Sequence, residues 1–228
     1  MEALKRKRWI LPLIMGVQTI FCMALLFCRL QKAGFSLSDG MSITYLSSNR
    51  GATFLFLAWN LFLAWIPYLL ALSLKTIQDR PRALIGLTLL LWLLFLPNAP
   101  YIITDLLHLR QRPLIPLWFD TLLLFSFAWT GLLLGLLSML EVQNFLEQKI
   151  GKIKALLIPA IILPLSGLGI YIGRVNRWNS WDILFHPIEI FQDIFTILIH
   201  PFSHGLALVL MGLLSISYFL FFTLTRSY

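Results

Sequence analysis

The chain has 228 residues, 59% hydrophobic and 12% charged, with a mean hydropathy of +0.83. Soluble domains carry roughly 45–50% apolar and about 25% charged residues, so a water-soluble globule is excluded. The net charge is +8, from 18 Lys+Arg against 10 Asp+Glu, but the basic residues stand between long apolar stretches rather than on one polar face, which argues against a nucleic-acid partner.

About 20 apolar residues suffice to cross a bilayer core. The first such run, Trp9 to Cys28, follows Lys5-Arg6-Lys7-Arg8. A secretory signal has a shorter apolar core, about 7–15 residues, ending in small residues. Here Phe27 precedes Cys28 with no cleavage or lipobox site, so the run reads as a retained membrane anchor. Cys22 and Cys28 share this run at a spacing that does not bring them face to face on a helix, which excludes a disulfide framework.

The second run, Ala52 to Leu74, carries Asn60 near its middle, where an amide is expected to hold helices together. The third, Ala83 to Ile103, contains Phe95-Leu96-Pro97-Asn98-Ala99-Pro100-Tyr101. Each proline removes a backbone donor and disfavours helix in the residue before it, so a kink or break is predicted there. Asn98 then either binds a ligand in the opened space or caps a helix that ends early. The fourth run, Leu114 to Leu140, opens on Asp120, and the fifth spans Ala155 to Ile172.

The segment Gly173-Arg174-Val175-Asn176-Arg177-Trp178-Asn179-Ser180-Trp181-Asp182 follows. Arginines bind phosphate bidentately and tryptophans sit at headgroup depth. Arg174, Arg177, Asn179, Trp181 and Asp182, with Asn98, are therefore candidates for holding an anionic or phosphorylated lipid-linked substrate. The competing reading is an aromatic-belt loop in which Asp182 pairs with an arginine. Ile183 to Ile199 has polar residues at three- and four-residue steps, as in a helix lying in the interface, and the last span is Pro201 to Leu224.

None of the six runs alternates as a barrel strand does. A backbone that must satisfy its own hydrogen bonds in lipid is then helical, and the fold class is an all-α polytopic transmembrane bundle with six spans in one domain, residues 1–228. With the N-terminus inside, the inner segments hold Lys5, Arg6, Lys7, Arg8, Lys75, Arg80, Arg82, Lys149, Lys152, Lys154 and Arg226. The outer ones hold Arg29, Lys32, Arg50, Arg110, Arg112, Arg174 and Arg177. This bias places both termini in the cytoplasm.

The same topology collects His108, His186, His200 and His204, with Asp105 and Asp120, at the outer end. Asp105 and His108 stand three apart and His200 and His204 four apart, spacings that share a helix face. Imidazoles and carboxylates converging from several span ends make a ligand set suited to catalytic zinc. In that reading His108, His200 and His204 hold the metal, and Asp105 or Asp120 acts as a further ligand or as general base for the bound water. Otherwise these residues are caps and interfacial groups wetted by headgroups. Ser166-Gly167 and Ser203-His204 do not form a nucleophile and base pair, because adjacent helical residues diverge.

The stretches Asn60-Leu61-Phe62-Leu63-Ala64-Trp65-Ile66-Pro67, Phe95 to Leu109 and Gly173 to Asp182 resemble those of the bacterial membrane-protein family catalogued as domain of unknown function 1361. That resemblance covers nearly the whole chain from the second span onward and implies a polytopic inner-membrane protein, without implying an activity or cofactor. A fainter similarity is to alkaline-ceramidase-like membrane hydrolases, which place an Asp, a His and a His-x-x-x-His pair on zinc. His200 and His204 would supply the pair, with Asp105, His108 or Asp120 completing it, although six spans stand here against seven there.

Two functions follow as expectations. One is a metal-dependent hydrolase or transferase, using a divalent metal such as zinc, that acts on a lipid or lipid-linked substrate at the outer face. The other is a non-enzymatic module that binds lipid or a partner through the same rim. A transporter ranks below both, because the inner halves of the spans supply no polar pathway.

Overall fold

A computed structural model describes residues 2–32, 54–112, 115–178, 182–200 and 204–226, and every regular element among them is helical. In chain order these are α1 (Glu2–Lys32), α2 (Phe56–Ser73), α3 (Arg82–Phe95), the short α4 (Asn98–Tyr101) and a 3-10 segment, Ile102–His108. Then come α5 (Leu117–Ile150), α6 (Lys152–Tyr171) with a π turn at Ile172–Asn176, α7 (Asp182–Phe185), α8 (Pro187–Ile199) and α9 (Gly205–Arg226). Among the described residues six stretches are long and apolar enough to span a membrane: Ile10–Lys32, Phe56–Ser73, Arg82–His108, Leu117–Ile150, Lys152–Asn176 and Gly205–Arg226.

The helix starts follow local chemistry. Pro81 and Pro116, with ψ of 140° and 139°, hold the chain extended just before α3 and α5. Pro187 occupies the first position of α8, where a missing N–H costs nothing. Gly151 alone joins α5 to α6, and its φ of +86° is a left-handed conformation that other residues adopt only with strain.

Helix α5 is the axis of the bundle and its most buried span. Its 34 residues run about 51 Å, well beyond a hydrocarbon core of roughly 30 Å. Side-chain hydrogen bonds tie it to its neighbours. Cys22 of α1 meets Thr130 at 3.3 Å, Trp92 of α3 donates to Ser138 at 2.7 Å, and Tyr218 of α9 donates to Gln143. Glycines close other seams: a Cβ on Gly131 would lie 2.5 Å from the Ala99 carbonyl oxygen, and one on Gly135 3.3 Å from Pro100. Small residues spaced in this way let helix backbones approach closely in lipid. Two apolar clusters result, one of α2, α3, α5, α6 and α9 and one of α1, α2, residues 99–102 and α5, while Leu13, Val209 and Ile216 face outward.

Three boundaries differ from the hydropathy reading. Helix α5 continues past Leu140 to Ile150, because the polar residues that end the apolar run are satisfied by helical neighbours: Gln143 by Tyr218 and Glu147, and Asn144 by Arg226. The α-helix of the third span is interrupted at its prolines, α3 ending at Phe95 and α4 opening at Asn98, yet the span runs on past Ile103 to His108. Leu96, Pro97 and Tyr101 stay in right-handed helical conformation, and the ladder tightens, Ala99 N–H bonding the Leu96 carbonyl, before passing into the 3-10 segment. Because α2 begins at Phe56, Asn60 lies in its second turn and not at mid-span. The placement of Pro201 at a helix start lies outside the described residues.

Tyr218 and Gln143 are fully buried partners. Tyr218→Phe should therefore cost about 1 kcal/mol, the usual net worth of one intramolecular hydrogen bond, in a reversible unfolding titration in mixed micelles. No change would mean that the Gln143 carbonyl finds another donor.

Candidate functional site

The ends of the spans form two polar clusters. At one end of the bundle Lys75 of the α2–α3 turn pairs with Glu141, and Arg226 of α9 pairs with Glu147. The opposite end gathers the start of α2, the 3-10 segment, the start of α5, the π turn and the start of α9.

The centre of this second end is Arg174. The π turn, a widened turn of the kind that re-aims a side chain, carries it beyond the C-terminal end of α6, where a cation is also favoured by the helix dipole. In a 3-10 helix side chains three apart eclipse, so Asp105 and His108 present one face, and Arg174 meets both. Its Nη1 lies 3.5 Å from Asp105 Oδ1 and 3.4 Å from the Tyr101 hydroxyl. Its Nη2 donates to the Thr104 carbonyl at 3.2 Å and lies 2.7 Å from His108 Nδ1. Asp105 is 1% exposed; its Oδ2 accepts from Asn60 Nδ2 at 2.7 Å. Its Oδ1 has the Arg174 charge nearby but no hydrogen bond among the described residues.

Beside this cluster lies a cavity of about 280 Å³, lined by Trp59, Asn60, Asn98, Tyr101 and Trp178 among others. An apolar groove of about 370 Å³ adjoins it, lined by Leu90, Leu94, Ile172, Ile190 and Ile194 of α3, the π turn and α8. Cavity and groove share Pro97, Gly169, Gly173 and Trp178 as common walls. A Cβ added at Gly169 would meet nothing within 4 Å, so this glycine keeps the junction open. Asp193 of α8 accepts from Asn176 Nδ2 and Trp178 Nε1, both at 2.7 Å, and so fastens α8 against the π turn along the groove.

A separate ion cluster occupies the start of α5. Asp120 is bridged by Arg29 at 2.7 Å and by Arg112 at 2.7 Å, and both guanidiniums lie on the Phe54 ring, at 4.1 and 4.5 Å from its centroid.

Of the residues singled out from the sequence, the structure brings Asn98 to the cavity wall and joins Asp105 and His108 through Arg174. Arg174 itself is not on the cavity wall; its Nη1 and Nη2 face Asp105, Tyr101, Thr104 and His108. Arg177 is exposed on a left-handed backbone, φ 62°, and Asp182 opens α7. Asn179 and Trp181 lie outside the described residues.

The histidines have separate neighbours. His108 faces Arg174, His204 Nδ1 is 2.7 Å from the Tyr171 hydroxyl, and His200 ends α8 exposed. Among the described residues no three His, Cys, Asp or Glu side chains gather as a metal site. Tyr101, Gly169 and Asp193 were not singled out from the sequence as site residues. The Gly169-x-x-x-Gly173 spacing was the available signal for the open wall.

Six long apolar helices among the described residues, the most buried of them axial, with polar clusters at both ends, define a polytopic membrane protein. The chain belongs to the family described as Protein of unknown function (DUF1361), whose pattern matches residues 59–220. Neither a curated protein nor a solved structure matches it.

Proposed function

We propose that this protein binds an amphiphile at one face of a bacterial inner membrane, with the polar head in the cavity at Asn60, Asn98 and Tyr101 and an apolar chain in the groove between α3, α6 and α8. The observation that carries the reading is the shared wall: a polar chamber and an aliphatic channel meet at Pro97, Gly169, Gly173 and Trp178. Together their volumes fall in the range of small-molecule sites, roughly 300–1,000 Å³, and few but placed polar groups in a mostly apolar lining are typical of such sites. A zinc-dependent hydrolase needs His108, His200 and His204 about one ion, and the separate neighbours of the three rings favour binding over that chemistry.

The orientation we propose puts both termini in the cytoplasm and the cavity at the outer face. It is supported by the excess of Lys and Arg in the segments on the terminal side and by the course of the spans. Arg29 in the last turn of α1 lies beside the start of α5, and α9 ends at Arg226 beside Glu147, so the start of α1 and the end of α9 lie at the same end of the bundle.

The test uses a diacylglycerol carrying a diazirine on one acyl chain, in proteoliposomes, with the labelled peptides mapped by mass spectrometry. Label should concentrate on Leu90–Pro97 and on residues 169–178. Gly169→Leu, which projects into open space, should lower it about tenfold without loss of stability, since leucine also favours helix over glycine by close to 1 kcal/mol. Equal labelling of wild type and variant, or label spread over every lipid-facing helix, would overturn the reading.

A further inference from the structure

Building on the amphiphile-binding reading, we infer that the headgroup taken by the cavity is uncharged and hydroxyl-bearing, of the sugar or glycerol type, and not a phosphate. The argument is one of donors and acceptors. A carboxylate only accepts hydrogen bonds, so the Asn60 amide must turn its NH2 to Asp105, as it does at 2.7 Å. A backbone carbonyl imposes the same choice on Asn98, whose Nδ2 donates to the Phe95 oxygen at 3.1 Å. In both residues the amide oxygen and the second N–H are left for the cavity, the oxygen without a hydrogen bond among the described residues. The Tyr101 hydroxyl accepts from Arg174 and keeps its own proton to give. The indole N–H of Trp178 is spent on Asp193.

The wall thus offers two amide oxygens, the second N–H of each amide and one phenol proton, and the ten residues lining it include no Lys, Arg, Asp or Glu. Phosphate oxygens would meet two carbonyl dipoles with their negative ends inward. The guanidinium beside Tyr101, Arg174, is paired with Asp105 and bonded to Tyr101, Thr104 and His108. Hydroxyl groups fit, because each can donate to an amide oxygen and accept from the phenol. The rings of Trp59, Tyr101 and Trp178 supply flat apolar walls for the C–H face of such a head. Asp105 and Arg174 act behind the wall as positioning residues: the carboxylate fixes the Asn60 amide, and the guanidinium leaves the Tyr101 proton directed elsewhere.

The experiment is competition against the same diazirine diacylglycerol on the full-length protein. The competitors are a hexosyl-diacylglycerol, a phosphatidic acid of the same acyl chains, the matching fatty-acid methyl ester and free methyl hexoside. The hexosyl lipid should compete about tenfold better than phosphatidic acid, the preference expected from two or three additional hydrogen bonds to uncharged groups. Asn98→Ala, at a partly exposed position, should reduce that preference to about threefold or less while the methyl ester competes as before. Phosphatidic acid competing as well as or better than the hexosyl lipid, with Gly169→Leu still blocking the label, would overturn the headgroup inference alone. If Gly169→Leu leaves labelling unchanged, the site reading fails with it. Free methyl hexoside competing as well as the lipid would overturn the assignment to a lipid head.

Discussion

Asp120→Asn is expected to cost about 3–5 kcal/mol of stability, the amount typical of breaking a buried ion pair by removing one partner. Arg29 is fully buried and Asp120 is 1% exposed. Their pairing is close to bidentate, Arg29 Nε to Oδ1 at 2.7 Å and Nη2 to Oδ2 at 3.3 Å, and Arg112 adds a further contact to Oδ2 at 2.7 Å. One carboxylate thus answers two guanidiniums stacked on Phe54. Asparagine keeps the shape and one acceptor but removes the charge, leaving two cations close together in a low-dielectric setting. The melting temperature in detergent should fall by about 10 °C or more. Asp120→Asn combined with Arg29→Met should recover part of the loss, because the buried cation goes with its partner. Arg112, at 21% exposure, reaches water, and Arg112→Gln should cost far less. An Asp120→Asn protein melting within about 2 °C of wild type would show that other contacts of Arg29 and Arg112 hold this end of the bundle.

The fold was legible in the sequence because lipid leaves a backbone few choices. Runs of apolar length set the spans, and their even number set the shared end of the two termini. The motifs around Asn60, Phe95 to Leu109 and Gly173 to Asp182 were enough to point to the family that matches residues 59–220. Local spacing was legible too. Asp105 and His108 do share a face, although through a 3-10 segment in place of the expected α-helix.

What the sequence did not carry is partnership between span ends. Arg174 looks the same on paper whether it faces a phosphate or a carboxylate 69 positions earlier, and only packing sends it to Asp105. The histidines pose the same problem. Reading the spans placed them at one end, yet His204 is drawn to Tyr171 of α6 and His108 to Arg174. The end of α5 was obscured for another reason: Gln143, Asn144 and Glu147 lower hydropathy, while their bonds to α9 and along α5 itself keep the helix going. The groove was hidden most completely, since it is defined by a missing side chain at Gly169 and by α8 lying against the π turn, and neither gives an apolar signal of its own.

Two glycines one short step apart on α6 should respond to the same substitution with opposite sign. A Cβ on Gly167 would stand 2.6 Å from the Met211 nitrogen, 2.7 Å from its Cα and 2.9 Å from the Leu210 carbonyl carbon. All three are backbone atoms of α9, so no rotamer change can make room and the two helices must separate. That separation would also pull His204 from Tyr171 at the cavity end of the same seam. Gly167→Ala is expected to cost about 2 kcal/mol, and Gly167→Val about 3 kcal/mol or more, in the upper range of overpacking effects. Intrinsic helix propensity runs the other way, favouring alanine over glycine by up to about 1 kcal/mol. At Gly169, where the added methyl meets open space, only that propensity remains, and Gly169→Ala should raise stability slightly. Thermal unfolding of the two alanine variants in one detergent decides the matter. A drop at 167 with a gain at 169 fixes α6 against α9 in this register, whereas equal gains at both would mean that the helices do not approach through Gly167.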